Sequence, residues 1–195
     1  SGNATSTKYL DGLGKTVIEV SKDTVTAIKD NETYIFNPIA NEIGAYTVAK
    51  ASNIDEFDEL KDYVQNQPDS TSIALSKDIT LSDDLGNLVG DDRDTTIYGN
   101  GFSIKGTDAS GNEYAGISVK DGQTLGFNNI TLKDFPNKNL IKNEGTTNLT
   151  KATLENVSIV NDKLLNLNST ILNKTNITNN AINRNPSNKD GGIIL

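Results

Sequence analysis

Asn129-Ile130-Thr131-Leu132, Asn156-Val157-Ser158-Ile159 and Asn176-Ile177-Thr178-Asn179 decide the fold. The three segments align, with starts 27 and then 20 residues apart. Gln123-Thr124-Leu125-Gly126-Phe127-Asn128 leads into the first copy, and Lys151-Ala152-Thr153-Leu154-Glu155 into the second. Each copy sends its aliphatics to one side of a strand and its Thr or Ser to the other. Short strands and turns repeating at that spacing mark one coil of a solenoid. Nothing between the strands has a helical period, so βαβ crossovers are not supported. A β-sandwich also has short strands and regular turns. Here, however, one strand slot recurs without hairpin dipeptides between copies. The expected fold is all-β, a right-handed parallel β-helix. Asn129, Asn156 and Asn176 are expected to stack as a structural amide ladder and to tolerate left-handed turns.

Outward from these copies the same texture extends in both directions. Ser72–Leu75, Asp78–Leu81, Thr95–Tyr98, Phe102–Lys105, Gly116–Val119, Leu140-Ile141 and Leu164–Leu167 read as further short strands. Gly99-Asn100-Gly101 makes a sharp corner between two of them. The rungs are expected to fill residues 71–195. Gly191-Gly192-Ile193-Ile194-Leu195 enters a strand and stops, which suggests a stalk truncated at its C-terminus.

Upstream, residues 53–65 predict the one helix. Asn53 is the expected N-cap with Glu56 as its capping-box partner, and Ile54, Phe57, Leu60 and Val64 share one face. Pro68 follows its end. Residues 51–70 thus read as a capping helix and linker, laid over the open first rung. Residues 1–50 read as an N-terminal β-rich capping segment. In it Thr16–Val20, Thr24–Ile28, Thr33–Phe36 and Tyr46–Ala49 are strands, with a turn at Asp30-Asn31.

Composition narrows the function. Apolar residues are 34% and aromatics 6% of the 195, which suits a thin core wound by frequent turns. The net charge of −8, with no stripe of Lys and Arg, argues against nucleic acid. No apolar run approaches the roughly 20 residues of a membrane helix, so membrane insertion by these residues is not expected. The chain has no Cys and no His, which removes thiolate metal sites and the commonest general base.

Asp83, Asp84, Asp91, Asp92 and Asp94 place five carboxylates within twelve residues, a candidate Ca²⁺ loop. The loop lacks the ligand spacing and glycine of an EF-hand, and a solvated loop is the plainer reading. Asn-x-Ser/Thr acceptor sequences start at Asn3, Asn31, Asn129, Asn148, Asn156, Asn168, Asn173 and Asn176.

Residues Thr95–Gly106 and Ala115–Leu125 resemble the first rungs of surface-displayed β-helix adhesins. These include autotransporter passenger domains, polymorphic outer-membrane-protein repeats and some archaeal adhesin-like proteins. The polymorphic repeat carries Gly-Gly-aliphatic-Ile and Phe-x-x-Asn tetrapeptides. Gly191-Gly192-Ile193-Ile194 fits the first, while Phe127-Asn128-Asn129-Ile130 and Ile177-Thr178-Asn179-Asn180 approximate the second. The resemblance covers residues 70–195. It implies a non-enzymatic cell-surface adhesin or stalk, extracellular and anchored at the outer membrane in the full-length protein. Its partner would be a host or neighbouring-cell receptor, a matrix protein or a glycan, with no catalytic residue and no cofactor beyond a possible Ca²⁺. The alternative is a carbohydrate-active β-helix, a polysaccharide lyase or a phage tailspike depolymerase. The acidic loop beside Arg93 is similar to lyase chemistry. That chemistry needs several Asp and a base stacked on one face, and the sequence offers no such stack.

Overall fold

Strands of three to five residues cannot bury their apolar sides alone, so each must stack on a neighbour. The computed structural model describes residues 5–9, 17–21, 25–43, 45–181 and 192–195 of the chain. They fall into two units, residues 1–53 and 54–195.

In the first unit β1 (Thr5–Tyr9) and β2 (Val17–Ser21) form an antiparallel pair. The strands β3 (Thr26–Lys29), β4 (Glu32–Pro38) and β5 (Tyr46–Ile54) form an antiparallel meander. Asp30 and Asn31 turn the first hairpin with φ of 52° and 63°, as their residue types allow. Tyr34 and Phe36 are buried, and Phe36 meets Tyr46 edge-on at 5.3 Å. The Lys8 ammonium lies 4.9 Å from the Phe36 ring and 4.6 Å from the Tyr46 ring, a cation–π clasp.

The second unit is a parallel β-solenoid of about six turns. It opens with α1 (Phe57–Asn66), followed by β6 (Ile73–Leu75), β7 (Ile79–Thr80) and β8 (Gly86–Asn87). Next come β9 (Asp94–Tyr98), β10 (Ser103–Lys105), β11 (Ile117–Val119) and β12 (Thr124–Phe135). The last five are β13 (Ile141–Asn143), β14 (Thr146–Asn161), β15 (Leu164–Asn168), β16 (Ile171–Asn179) and β17 (Gly192–Ile194).

Three columns of parallel strands result. The first stacks β6, β9, residues 124–128 of β12, residues 146–150 of β14, β15 and β17. The second stacks β7, β10, residues 130–135, residues 152–157 and residues 171–175 of β16. The third stacks β8, β11, β13, residues 159–161 and residues 177–179. Alternate residues of each side point inward. Ile97, Phe127 and Leu149 stack in the first column, Ile104, Leu132 and Leu154 in the second, and Ile117, Ile141 and Ile159 in the third, all essentially buried. The expected parallel β-helix texture is present.

The expected amide ladder differs. Asn129 and Asn156 do occupy left-handed corners, with φ of 51° and 55°, but on two separate edges. Asn129 stacks with Lys151 on the first edge, and Asn156 with Asp134 and Lys174 on the second, while Asn176 pairs with Ser158 inside a strand. The three therefore do not stack on one another. The spacing of 27 and 20 residues matched motifs in different columns, because every column repeats the same apolar-x-apolar pattern. The true step in the later rungs is 18 residues, from Asn143 to Asn161 to Asn179.

Those three residues make the real ladder. Asn143 donates through Nδ2 to Asn161 Oδ1 at 2.8 Å, and Asn161 in turn to Asn179 Oδ1 at 3.0 Å. Asn143 and Asn161 are fully buried, and their amides also reach the carbonyls of Gly145, Leu164 and Gly192. Backbone carbonyls turning the third corner find their donors in these amides.

The helix also departs from expectation at its start. It begins at Phe57, and its N-cap Glu56 makes no capping hydrogen bond. Asn53 is still in strand β5, where its Oδ1 accepts from Thr33 Oγ1 at 2.5 Å, so it is unavailable as a cap. Leu60, Tyr63 and Val64 are buried in the solenoid core, with Phe57 packed against it. Gln65 near its end donates to the Leu85 carbonyl, which ties the helix to the chain just before β8.

A candidate ligand cleft on the third column

Arg93 is the residue through which the cap is held. It is 1% exposed, with its guanidinium carbon 4.5 Å from the centre of the Tyr63 ring. Nη2 donates to the Tyr63 carbonyl at 3.0 Å, and Nη1 to the Val89 and Val64 carbonyls at 3.2 and 3.4 Å. Helix α1 carries no basic residue in its own last turn. Arg93 supplies from another rung the positive charge that the carbonyl end of a helix favours. The Tyr63 hydroxyl bonds Thr95 Oγ1, and burial raises its pKa above the ordinary phenol value. An arginine locked in this way is a pin between cap and first rungs.

The acidic loop is dispersed. Asp83 pairs with Lys61 at 2.5 Å, and Asp84 Oδ1 accepts from the Ala115 amide at 2.8 Å. Asp91 pairs with Lys120 at 2.8 Å. Asp92 turns the chain with φ of 52°, and the Asp94 amide is bonded to Ser70. Among the described residues no three of His, Cys, Asp and Glu are placed to hold a metal ion. Lys61 and the Asp84 amide hold the Asp83 carboxyl below its usual pKa, and Lys120 does the same for Asp91.

The acceptor asparagines are sorted by the fold. Asn31, Asn129, Asn168, Asn173 and Asn176 are exposed, whereas Asn148 and Asn156 are half-buried. Asn166 Nδ2 donates to Asn148 Oδ1 at 2.7 Å, and Asn156 Nδ2 to Asp134 at 3.2 Å. Asn3 and the expected Gly191 corner lie outside the described residues.

A cleft lies on the outward side of the third column, where Asn87, Ser118 and Lys142 stack rung upon rung. One part, of about 550 Å³, runs between the end of α1 and the corner at Lys120 and Glu144. A second part, of about 230 Å³, continues past Ser118 and Lys142 to Lys138 and Asn139. Ser118 and Lys142 belong to both, so the floor crosses the column without a break.

Hydrogen-bonded polar groups fix both walls, and Gln123 among them is buried. Gln123, 1% exposed, donates to the Leu88 and Gly90 carbonyls at 2.7 and 2.6 Å and accepts from the Lys120 amide at 2.9 Å. Gln65, at the end of α1, donates to the Leu85 carbonyl at 2.6 Å. On the other side Asp108 gathers the amides of Ser110 and Asn112 and the Tyr114 hydroxyl, which hold its carboxyl below the usual range. Glu113 then accepts from the Asn137 and Lys138 backbone amides and so sets where Lys138 projects. Gly116 lets β11 lie against its neighbour, since a Cβ there would stand 1.9 Å from the Leu140 carbonyl oxygen.

The fold and this cleft define a class: a parallel β-solenoid with a polar cleft on one face. No protein-family model matches the chain, and no curated protein matches it. Among solved structures, L. reuteri 53608 SRRP is similar, with a TM-score of 0.42 and 20% sequence identity over 72% of this chain and 48% of that one. The chain thus spans about half that protein's length, and a likeness at that score carries no functional argument. Among the described residues no helix is long and apolar enough to cross a membrane.

Proposed function

We propose that the solenoid is a non-enzymatic attachment module of a cell-surface protein, and that the third-column cleft is where it docks. The observation that carries this reading is the cleft's construction on strands paired on both sides, β11 and β13, with one wall fixed by the buried Gln123 and the other by Asp108 and Glu113 accepting from backbone amides. Such a platform holds its shape without a ligand, and preorganisation lowers the entropy lost on binding. Burial of Arg93, whose guanidinium is engaged by the Tyr63, Val64 and Val89 carbonyls, is a second support, since it keeps that group from acting as a catalytic base. The partner is a receptor, matrix protein or glycan of a host or neighbouring cell. Extracellular display at the outer membrane, as in the resembled passengers, is the finer form of the same reading.

Solid-phase binding of the intact chain to cells and to extracellular matrix tests it. Saturable retention, unaffected by a chelator, is expected. Retention at background on every surface contradicts the reading, and loss on chelation would return Ca²⁺ to the acidic loop.

A further inference from the structure

We propose that the third-column cleft takes an anionic linear glycan, a sugar chain bearing carboxylate or sulfate groups, anchored by Lys138 and Lys142. The inference rests on the attachment reading and names its ligand class.

Charge is the first argument. Lys61, Lys77, Lys105, Lys120 and Lys163 each face a carboxylate of their own. Lys138 and Lys142 are exposed, line the same part of the cleft and form no ion pair among the described residues. In a chain of net charge −8, they add two ammonium groups without an ion pair to a cleft whose nearby carboxylates are Glu144 at one end and Glu113 beneath the Lys138 backbone. An ammonium is a compact point charge with three donors, suited to a carboxylate or sulfate rather than to a neutral hydroxyl.

The remaining surface suits a polyhydroxylated chain. Ser118 stacks directly on Lys142, and Asn87 stacks on the other side of Ser118, so hydroxyl and amide groups alternate with the charge. The two parts of the cleft, about 550 and 230 Å³ and joined at Ser118 and Lys142, give room for more than one sugar.

An acidic peptide fits less well. Peptides bind a sheet by adding a strand to a free edge or by seating apolar anchors in a groove. Both β11 and β13 are already paired on each side, and the side chains that their column turns outward here are Asn87, Ser118 and Lys142.

Immobilised intact chain would be titrated with alginate oligosaccharide, dextran sulfate, neutral dextran and poly-L-glutamate. Binding of alginate or dextran sulfate without binding of dextran is expected, and the arm that binds tells whether carboxylate or sulfate is read. Raising salt from about 50 to about 200 mM should weaken it. The double variant Lys138→Gln/Lys142→Gln should lose about tenfold or more in affinity, with its unfolding midpoint unchanged, while Lys151→Gln, on an outer corner, should match the parent. Equal binding of neutral dextran, an unaffected double variant, or poly-L-glutamate binding as tightly as the glycans would each overturn the inference. Failure of every anionic glycan while cell retention persists sinks this inference and leaves the attachment reading standing. Background retention alongside glycan binding does the reverse.

Discussion

Asn161 shows at the residue scale how this chain treats polarity. Its side chain is fully buried, yet it accepts from Asn143 and donates to Asn179 and to the carbonyls of Lys163 and Gly192. A buried polar group so satisfied costs little, but deleting it strands its partners. Asn161→Ala should therefore lose about 2–3 kcal/mol in urea unfolding. Asn148→Ala, on the half-buried outer ladder to Asn166, should lose under about 1 kcal/mol. Equal losses would mean that the inner ladder does not stabilise the rungs. The 18-residue step was available in Ile141-x-Asn143, Ile159-x-Asn161 and Ile177-x-Asn179, but Asn129, Asn156 and Asn176 share a more conspicuous tetrapeptide. Inward and corner asparagines look alike until register is known.

At the scale of the element, the helix was legible from Phe57, Leu60 and Val64, and its role as a cap followed from its place in the chain. Its start was not, since Thr33 and Asn53 meet across a strand pair that local sequence does not disclose. Nor was its pin. Arg93 sits among three aspartates in the sequence and reads as part of a surface loop, but it lies inside, on the Tyr63 ring. Arg93→Met should leave the Tyr63, Val64 and Val89 carbonyls short of a donor and cost about 3 kcal/mol, seen as a lower unfolding midpoint. A midpoint within error of the parent would remove Arg93 from the cap.

Acid should loosen the same element. The folded-state pKa of Asp83 is lowered by Lys61, so its contribution is present above the unfolded value of about 3.9 and lost as pH falls through the folded value. Thermal unfolding should be flat in this respect from pH 7 to 5 and fall below about pH 4, less steeply in Asp83→Asn. The same slope in both would show that the Lys61 pairing does not contribute.

At the scale of the molecule, the repeat texture disclosed a parallel solenoid, while the cleft stayed hidden. Ser118 and Lys142 are 24 positions apart and meet only because β11 and β13 share a register. Lys138 looks like any loop lysine until Glu113 is seen to fix the backbone beneath it. The five aspartates stood out in the sequence because they are close along the chain, yet the rungs carry them to separate partners. Proximity in sequence is a poor guide to a site built by stacking.

Attachment without turnover is the central claim, and one sample can test it. The intact chain would be incubated with the cell-surface or matrix material that retains it, and bound protein measured alongside soluble sugar reducing ends and unsaturated products. The expected result is stable retention with no product above the protein-free control. Product accumulating with time, with the protein released as it forms, would contradict it and restore the depolymerase.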